Sequence, residues 1–246
     1  MRLAILTDIH GNREAFAAVL ADVAARAVDR IALLGDIVGY GADPCWCCER
    51  AAALVEAGAI CVRGNHDSAA SGTVETMSGP ARLAIGWTRR QLLPGHRAFL
   101  AGLPLRVREG EAEFVHASAS RPEAWSYVTS DRGAAPSFRA TDARLIFCGH
   151  VHVPFLASQD LSGAVRAVEL RIGRPVPLLR SRRWLAVVGS VGQPRDGQPQ
   201  AGWALLDTAT GELCFRRTPY DLALAAQKIR AAGLPEALAS RLLRGG

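Results

Sequence analysis

Lysine is nearly absent from this chain: Lys228 is the only one, and the rest of the 29 basic residues are arginine. Set against 23 acidic residues they leave a net charge of +6, which suits an anionic ligand. Aromatics make up only 6% of the chain and are not interleaved with basic runs, so no dedicated nucleic-acid surface is expected. No apolar run approaches the roughly 20 residues of a membrane span, and no membrane partner is expected. A charged n-region followed by an apolar stretch and a cleavage site is also missing, which makes a cytoplasmic location the expectation. The six cysteines suggest no disulfide framework in a chain this long without a secretory signal. Cys45, Cys47 and Cys48 cluster without a nearby histidine, so they and Cys61, Cys148 and Cys214 read as reduced structural thiols. There is no internal repeat, low-complexity tract or linker, and residues 1–246 are expected to form one domain. The sequence does not speak to oligomeric state.

What is present is a repeated strand–loop–helix pattern. Residues 2–6 form an apolar run, followed by Asp8-Ile9-His10 and a helical periodicity over 13–26. A second strand over 30–34 ends in Gly35-Asp36, a helix is predicted over about 44–57, and a third strand over 60–63 leads into Gly64-Asn65-His66-Asp67. This βαβαβ order predicts parallel pairing with right-handed crossovers. Residues 68–101 read as helical, broken at Gly79-Pro80 and Pro94-Gly95. Short alternating runs then follow at 103–108, 111–115, 144–148, 153–157, 164–170, 184–188, 201–206 and 212–217, the last two joined by a turn at Thr210-Gly211. Two amphipathic helices close the pattern near 221–231 and 235–243. Residues 120–140 are expected to be a long irregular loop.

Five of the six histidines fall in four short segments, each at a predicted strand end: Asp8-Ile9-His10, Gly64-Asn65-His66-Asp67, His116-Ala117-Ser118 and Gly149-His150-Val151-His152. Gly35-Asp36 occupies the same kind of position. At extended spacing residues 8 and 10 point the same way, so a carboxylate and an imidazole reach one cation. In α/β sheets the strand ends are where ligands bind. A single buried histidine is usually structural, but five sharing one position relative to strands are poorly explained that way. His96, outside these segments, reads as a surface helix residue.

The ordered set D-x-H, G-D, G-N-H-D, H and G-H-x-H resembles the calcineurin-like metallophosphoesterase superfamily. The stretches 35–41, 149–154 and 189–197 look most like its bacterial and archaeal phosphodiesterase-like branch. The resemblance runs from residue 3 to the C-terminal helices and is weakest over 68–100 and 117–143. It implies an α/β fold, an αββα four-layer sandwich of two mixed β-sheets flanked by helices. It also implies a first metal held by Asp8, His10, Asp36 and His152, and a second held by Asp36, Asn65, His116 and His150. A carboxylate has two oxygens, so Asp36 can bridge cations about 3.5–4 Å apart. Mixed imidazole and oxygen donors suit Mn, Fe, Zn, Ni or Co, without choosing among them. Two divalent cations against Asp8 and Asp36 leave a formal charge of +2, or +1 with a bridging hydroxide.

The implied activity is hydrolysis of a small or nucleotide-like phosphodiester, with a metal-held hydroxide attacking phosphorus. His66 is the candidate general acid. Arg195, and less so Arg13 or Arg63, is a candidate to hold substrate phosphate, and Tyr40 to stack on or hydrogen-bond substrate, loop packing being equally compatible with it. A phosphomonoesterase or dinucleoside-polyphosphate hydrolase is the alternative, and a metal-free protein-interaction scaffold a third. Protein phosphatases of the superfamily resemble G-D-x-V-D-R-G where this chain has Gly39 and Tyr40, which disfavours that activity. The same difference leaves open what orients His66, Asp67 being one candidate.

Overall fold

A parallel core strand buried on both faces reads as an unbroken apolar run, and β1 (Arg2–Leu6) is such a strand. In the computed structural model, which describes residues 1–72, 77 and 79–246, Leu3 and Ile5 face one hydrophobic layer while Ala4 and Leu6 face another. β2 (Arg30–Leu33) and β3 (Ile60–Cys61) continue from β1 in parallel, through α1 (Arg13–Ala24) and α2 (Pro44–Glu56). Asn12 caps α1, its side-chain oxygen accepting from the Ala15 N–H at 3.1 Å. α3 (Asn65–Ser71), α4 (Gly79–Gln91) and α5 (Pro94–Gly102) follow.

The second sheet begins with β4 (Arg106–Glu109) and β5 (Ala112–Val115). After α6 (Asp131–Ala140) it takes in β6 (Leu145–Cys148), β7 (Phe155–Gln159) and β8 (Val165–Ala167). The remaining elements are β9 (Val176–Pro177), β10 (Arg183–Val187), β11 (Ala201–Asp207), β12 (Glu212–Thr218), α7 (Leu222–Ala231) and α8 (Glu236–Arg244). The sheet orders are β3-β2-β1-β11-β12-β9 and β4-β5-β6-β10-β7-β8. Both are mixed: β1 runs parallel to β2 but antiparallel to β11, and β10 parallel to β6 but antiparallel to β7.

The layers follow from which side chains meet. Between the sheets, Leu3, Ile5 and Phe215 pack with Phe114, Phe147 and Trp184. Outside the first sheet, Leu6 and Trp203 pack with Phe16 of α1 and Cys47 of α2. Outside the second, Ile146, Leu185 and Val187 pack with Ala134 and Phe138 of α6. The result is helix, sheet, sheet, helix, as the sequence resemblance implies.

Local differences from the sequence expectations have physical causes. The stretch 120–140 is not one irregular loop, because its second half is α6. Gly133 and Pro136 lower helix propensity there, but a Ser130 cap and burial of Ala134 and Phe138 outweigh them. Gly79-Pro80 and Pro94-Gly95 open α4 and α5 rather than interrupting one helix, as proline in a first turn permits. The two-residue β9 carries too little pattern to be read from sequence. All six cysteines are free. His96 stands apart from the other histidines on α5, 3.3 Å from Glu49.

Candidate metal centre

The loops leaving β1, β2, β5 and β6, and the start of α3, converge at one end of the two sheets. There the structure brings together Asp8, His10, Asp36, Asn65, His116, His150 and His152, seven residues drawn from five separate segments. Asp8, His10 and His152 form one compact buried group and Asp36, His116 and His150 another. Asp36 joins them: its Oδ2 lies 3.6 Å from His10 Nε2 and 3.4 Å from His116 Nε2. Asn65 Oδ1 and His150 Nδ1 lie 3.1 and 3.2 Å from His116 Nε2.

The protons tell what this cluster is built to hold. His10 Nδ1 faces the Val38 carbonyl at 3.3 Å, His116 Nδ1 the Leu34 carbonyl at 2.8 Å, and His152 Nδ1 the Gln193 carbonyl at 2.6 Å. A carbonyl only accepts, so in each of the three rings Nδ1 carries a hydrogen and Nε2 is the nitrogen turned into the cluster. His10 Nε2 and His152 Nε2 oppose each other at 3.0 Å, nitrogen facing nitrogen. Asp8 adds to the mismatch. Its Oδ2 accepts from the Thr7 hydroxyl and the His150 N–H, both at 2.8 Å, while its buried Oδ1 has no hydrogen-bond partner. Ring nitrogens and carboxylate oxygens converging in a buried space need a cation among them. Nitrogen and oxygen donors in two groups sharing one carboxylate fit two divalent transition-metal ions.

The electrostatics agree with that reading. Burial pulls His150 and His152 each down to about 4, leaving them neutral ligands at pH 7. Burial opposes the charge on Asp8 and Asp36, yet the surrounding imidazoles hold both carboxyls well below the usual range. Burial also works against protonated His116, but the Asp36 and Asp8 carboxylates outweigh it and push His116 up to about 10. A cation bound there would compete with that proton, because a ligating imidazole must be free of it.

The backbone is shaped around the same residues. Asp8 (φ 54°), His10 (φ 52°), Asp36 (φ 52°), His150 (φ 67°) and His152 (φ 65°) are left-handed, whereas elsewhere among the described non-glycine residues only Ala27, Arg121 and Trp125 are. Such conformations cost about 1–2 kcal/mol per residue and persist where surrounding structure imposes them. Here hydrogen bonds between loops do so: Asp8 N–H donates to the Gly35 carbonyl at 3.0 Å and His10 N–H to the Asp36 carbonyl at 2.8 Å. The loop after β10 adds its own, since Ser190 Oγ and Gly192 N–H both donate to the Asp8 carbonyl, at 2.9 and 2.8 Å.

A family model, the calcineurin-like phosphoesterase superfamily domain, matches residues 1–211. The chain belongs to the calcineurin-like phosphoesterase superfamily. It is 35% identical over 249 residues to an uncharacterized protein of Methanocaldococcus jannaschii, covering 99% of this chain and 98% of that one. Its structure is similar to the crystal structure of a metallophosphoesterase from Sphaerobacter thermophilus, with a TM-score of 0.89, 40% identity, and 100% and 99% of the two chains covered. A hypothetical protein of Pyrococcus horikoshii shares the fold at a TM-score of 0.79 and 19% identity, over 100% and 98% of the chains. The buried Asp/His cluster is thus the metal-binding cluster of a metallophosphoesterase.

A cavity of about 340 Å³ opens onto this phosphoesterase centre, lined by Asp36, Asn65, His150 and His152 at its floor and by Tyr40, His66, Tyr127, Arg195 and Arg241 on its walls. His66 is buried against the Tyr40 and His10 rings, at 4.5 and 4.7 Å between centroids. Burial lowers His66 to about 3, so its ring is neutral at pH 7. Its Nδ1 is buried without a partner, and the residue lines the cavity. Gly39 permits this placement, because a Cβ there would lie 2.6 Å from His66 Nδ1 and 2.7 Å from His10 Nδ1.

Asp67 does not orient His66. Its oxygens accept from the backbone N–H groups of Ile37, Val38 and Gly64 at 2.9, 3.2 and 3.0 Å, clamping the Asp36 loop to α3. Ring packing by Tyr40 takes the place of an orienting carboxylate. Arg13 and Arg63 are elsewhere: Arg13 lies over Trp46, and Arg63 donates to the Ala101 carbonyl. Sequence reasoning missed Tyr127 and Arg241. Tyr127 is stacked on His150 at 4.3 Å and 16° and is 61% exposed, in a segment with no periodicity to mark it. Arg241 sits on an amphipathic helix, where an arginine normally signals only solvent.

Proposed function

We propose that the chain is a phosphodiesterase acting on a small or nucleotide-like phosphodiester. In this reading one divalent ion is held by Asp8, His10, Asp36 and His152 and the second by Asp36, Asn65, His116 and His150, the metals being drawn from Mn, Fe, Zn, Ni and Co. The opposed Nε2 atoms of His10 and His152, with Asp36 shared between both groups, carry this assignment. When bound, two such ions would supply a nucleophilic hydroxide and stabilise charge developing on the phosphoryl oxygens. With only Asp8 and Asp36 opposing them, the net charge left after that hydroxide is +1, matched to the single negative charge of a diester.

The chain's own groups do the rest. His66 lines the cavity and is the candidate proton donor to the leaving oxygen. It acts from its imidazolium form, which burial disfavours until the substrate's negative charge is in place, and returns to the neutral ring. Arg195 and Tyr40 shape the wall against which the ester's other substituent lies, and the exposed Tyr127 ring offers a stacking surface for a base or aryl group. Replacement of His66 by Ala will lower kcat by about 10²-fold on a diester with an alkoxide leaving group and far less on a p-nitrophenyl ester, with metal content unchanged. Equal losses on both would remove the proton-donor role.

The diester assignment is tested by hydrolysis of bis-p-nitrophenyl phosphate beside p-nitrophenyl phosphate in Mn²⁺-loaded protein. A kcat/KM at least tenfold higher for the diester is expected. Preference for the monoester would replace the reading by a phosphomonoesterase.

A further inference from the structure

Arg195 and Arg241 reach one wall of the cavity from different elements, Arg195 from the loop after β10 and Arg241 from α8. Both approach the same acceptor. Gln193 Oε1 takes Arg195 Nη2 at 2.9 Å and Arg241 Nη1 at 3.5 Å, and the Gln193 side chain is 1% exposed. Neither arginine has a carboxylate partner among the described residues, although Asp196 next in sequence is engaged by Arg217. Arg195 Nε is buried with no partner at all. Two guanidinium ions therefore face the cavity with one neutral amide oxygen between them. Burial and the Arg195 charge together hold Arg241 below the usual arginine range, as expected for like charges held close.

Tyr40 lies between the Arg195 guanidinium and the His10 and His66 rings. Its ring packs on His10 and His66, both at 4.5 Å between centroids, while its hydroxyl lies 3.3 Å from Arg195 Nη2. The Arg195 main chain joins the cluster, its N–H donating to the His152 carbonyl at 3.2 Å. Tyr40 is itself fixed in the hydrophobic cluster of α7 and α8 that holds Leu238 and Leu242, so the helix bearing Arg241 and the phenol are positioned together. The Arg195 guanidinium thus lies at the phenol's hydroxyl end, with Arg241 joined to it through Gln193 Oε1. The charge left at the metal cluster matches one diester monoanion, which leaves the two guanidinium charges with nothing to neutralise them. A phosphate monoester, at about −1.5 to −2, supplies that charge and has the three oxygens that guanidinium forks bind.

The geometry points to a second phosphate subsite: Arg195 and Arg241 seat a phosphate group other than the one cleaved, so the substrate class is a phosphodiester carrying an additional phosphate. This rests on the phosphodiesterase reading of the same site. The extra phosphate can stand on a ribose or adjoin the scissile one in a chain, and binding distinguishes the two.

The experiment titrates Mn²⁺-loaded protein calorimetrically with thymidine 5′-monophosphate, thymidine 3′,5′-bisphosphate and thymidine 5′-diphosphate. In parallel, kcat/KM is compared for the p-nitrophenyl ester of thymidine 5′-phosphate with and without a 3′-phosphate. At least tenfold tighter binding of one doubly phosphorylated nucleotide is expected, falling to under twofold in Arg241→Gln. Arg195→Gln is the second variant if that one fails to fold. The better nucleotide identifies the position of the extra phosphate. Equal binding of all three, or an advantage that survives in the variants, overturns the subsite. So does an equal loss for singly and doubly phosphorylated esters, which would place the arginines on the cleaved group. Arginine-dependent preference without hydrolysis of either ester would retain the subsite and reject the phosphodiesterase.

Discussion

Replacement of Asp36 by Asn will lower kcat/KM for bis-p-nitrophenyl phosphate by about 10³-fold, equivalent to about 4 kcal/mol of transition-state stabilisation. The wild-type carboxylate does two jobs at once. Its Oδ1 accepts the His66 N–H at 2.8 Å, and its Oδ2 points between His10 and His116. An asparagine has a single oxygen for both. Either the start of α3 loses its acceptor, or an amide NH₂ group is turned toward the space meant for cations. The shared ligand is lost in both cases, and the variant should bind less than two equivalents of metal at concentrations that saturate the wild type. Steady-state kinetics with metal analysis of the dialysed protein checks this. An Asp36→Asn variant with two metals and wild-type turnover would show that Asp36 is not the bridge.

The second large effect is on stability. A methyl group at position 149 would lie 2.0 Å from Thr7 Oγ1 and 2.5 Å from Asp8 Oδ2. Both atoms belong to the strand end that the His150 N–H binds through Asp8, so neither side yields without breaking that contact. Overpacking of this kind costs about 3 kcal/mol. In a chain of this length that corresponds to a Tm lower by about 6–12 °C. Calorimetry of Gly149→Ala in the metal-free state isolates the packing effect from any change in metal affinity. A fall under 2 °C would mean that the loop after β6 moves away freely and does not fix Asp8.

Much of this was legible in the residues. The alternation of strands and helices through residue 61 follows from periodicity, whereas the two mixed sheets and the grouping of Asp8, His10, Asp36, Asn65, His116, His150 and His152 were implied by the family resemblance that the strand-end motifs carry. Ligand types also announce themselves: histidine and aspartate at strand ends are costly unless they share a task. What was not legible depends on tertiary contacts. Helix α6 exists because Ala134 and Phe138 have a sheet to cover, against the propensity of Gly133 and Pro136. Tyr127 and Arg241 join the cavity only through the placement of a loop and a late helix, and neither leaves a local pattern. Asp67 was open as a candidate and is decided only by tertiary contacts. Its position beside His66 suggests an orienting role, whereas its oxygens are taken by the backbone of residues 37, 38 and 64.

The most direct test is to add Mn²⁺ stepwise to chelated protein while following bound metal and hydrolysis of bis-p-nitrophenyl phosphate together. The expected result is two equivalents bound per chain, with turnover emerging as the second one fills. Full turnover with one equivalent or none, or two equivalents bound with no hydrolysis of the diester, would contradict the account.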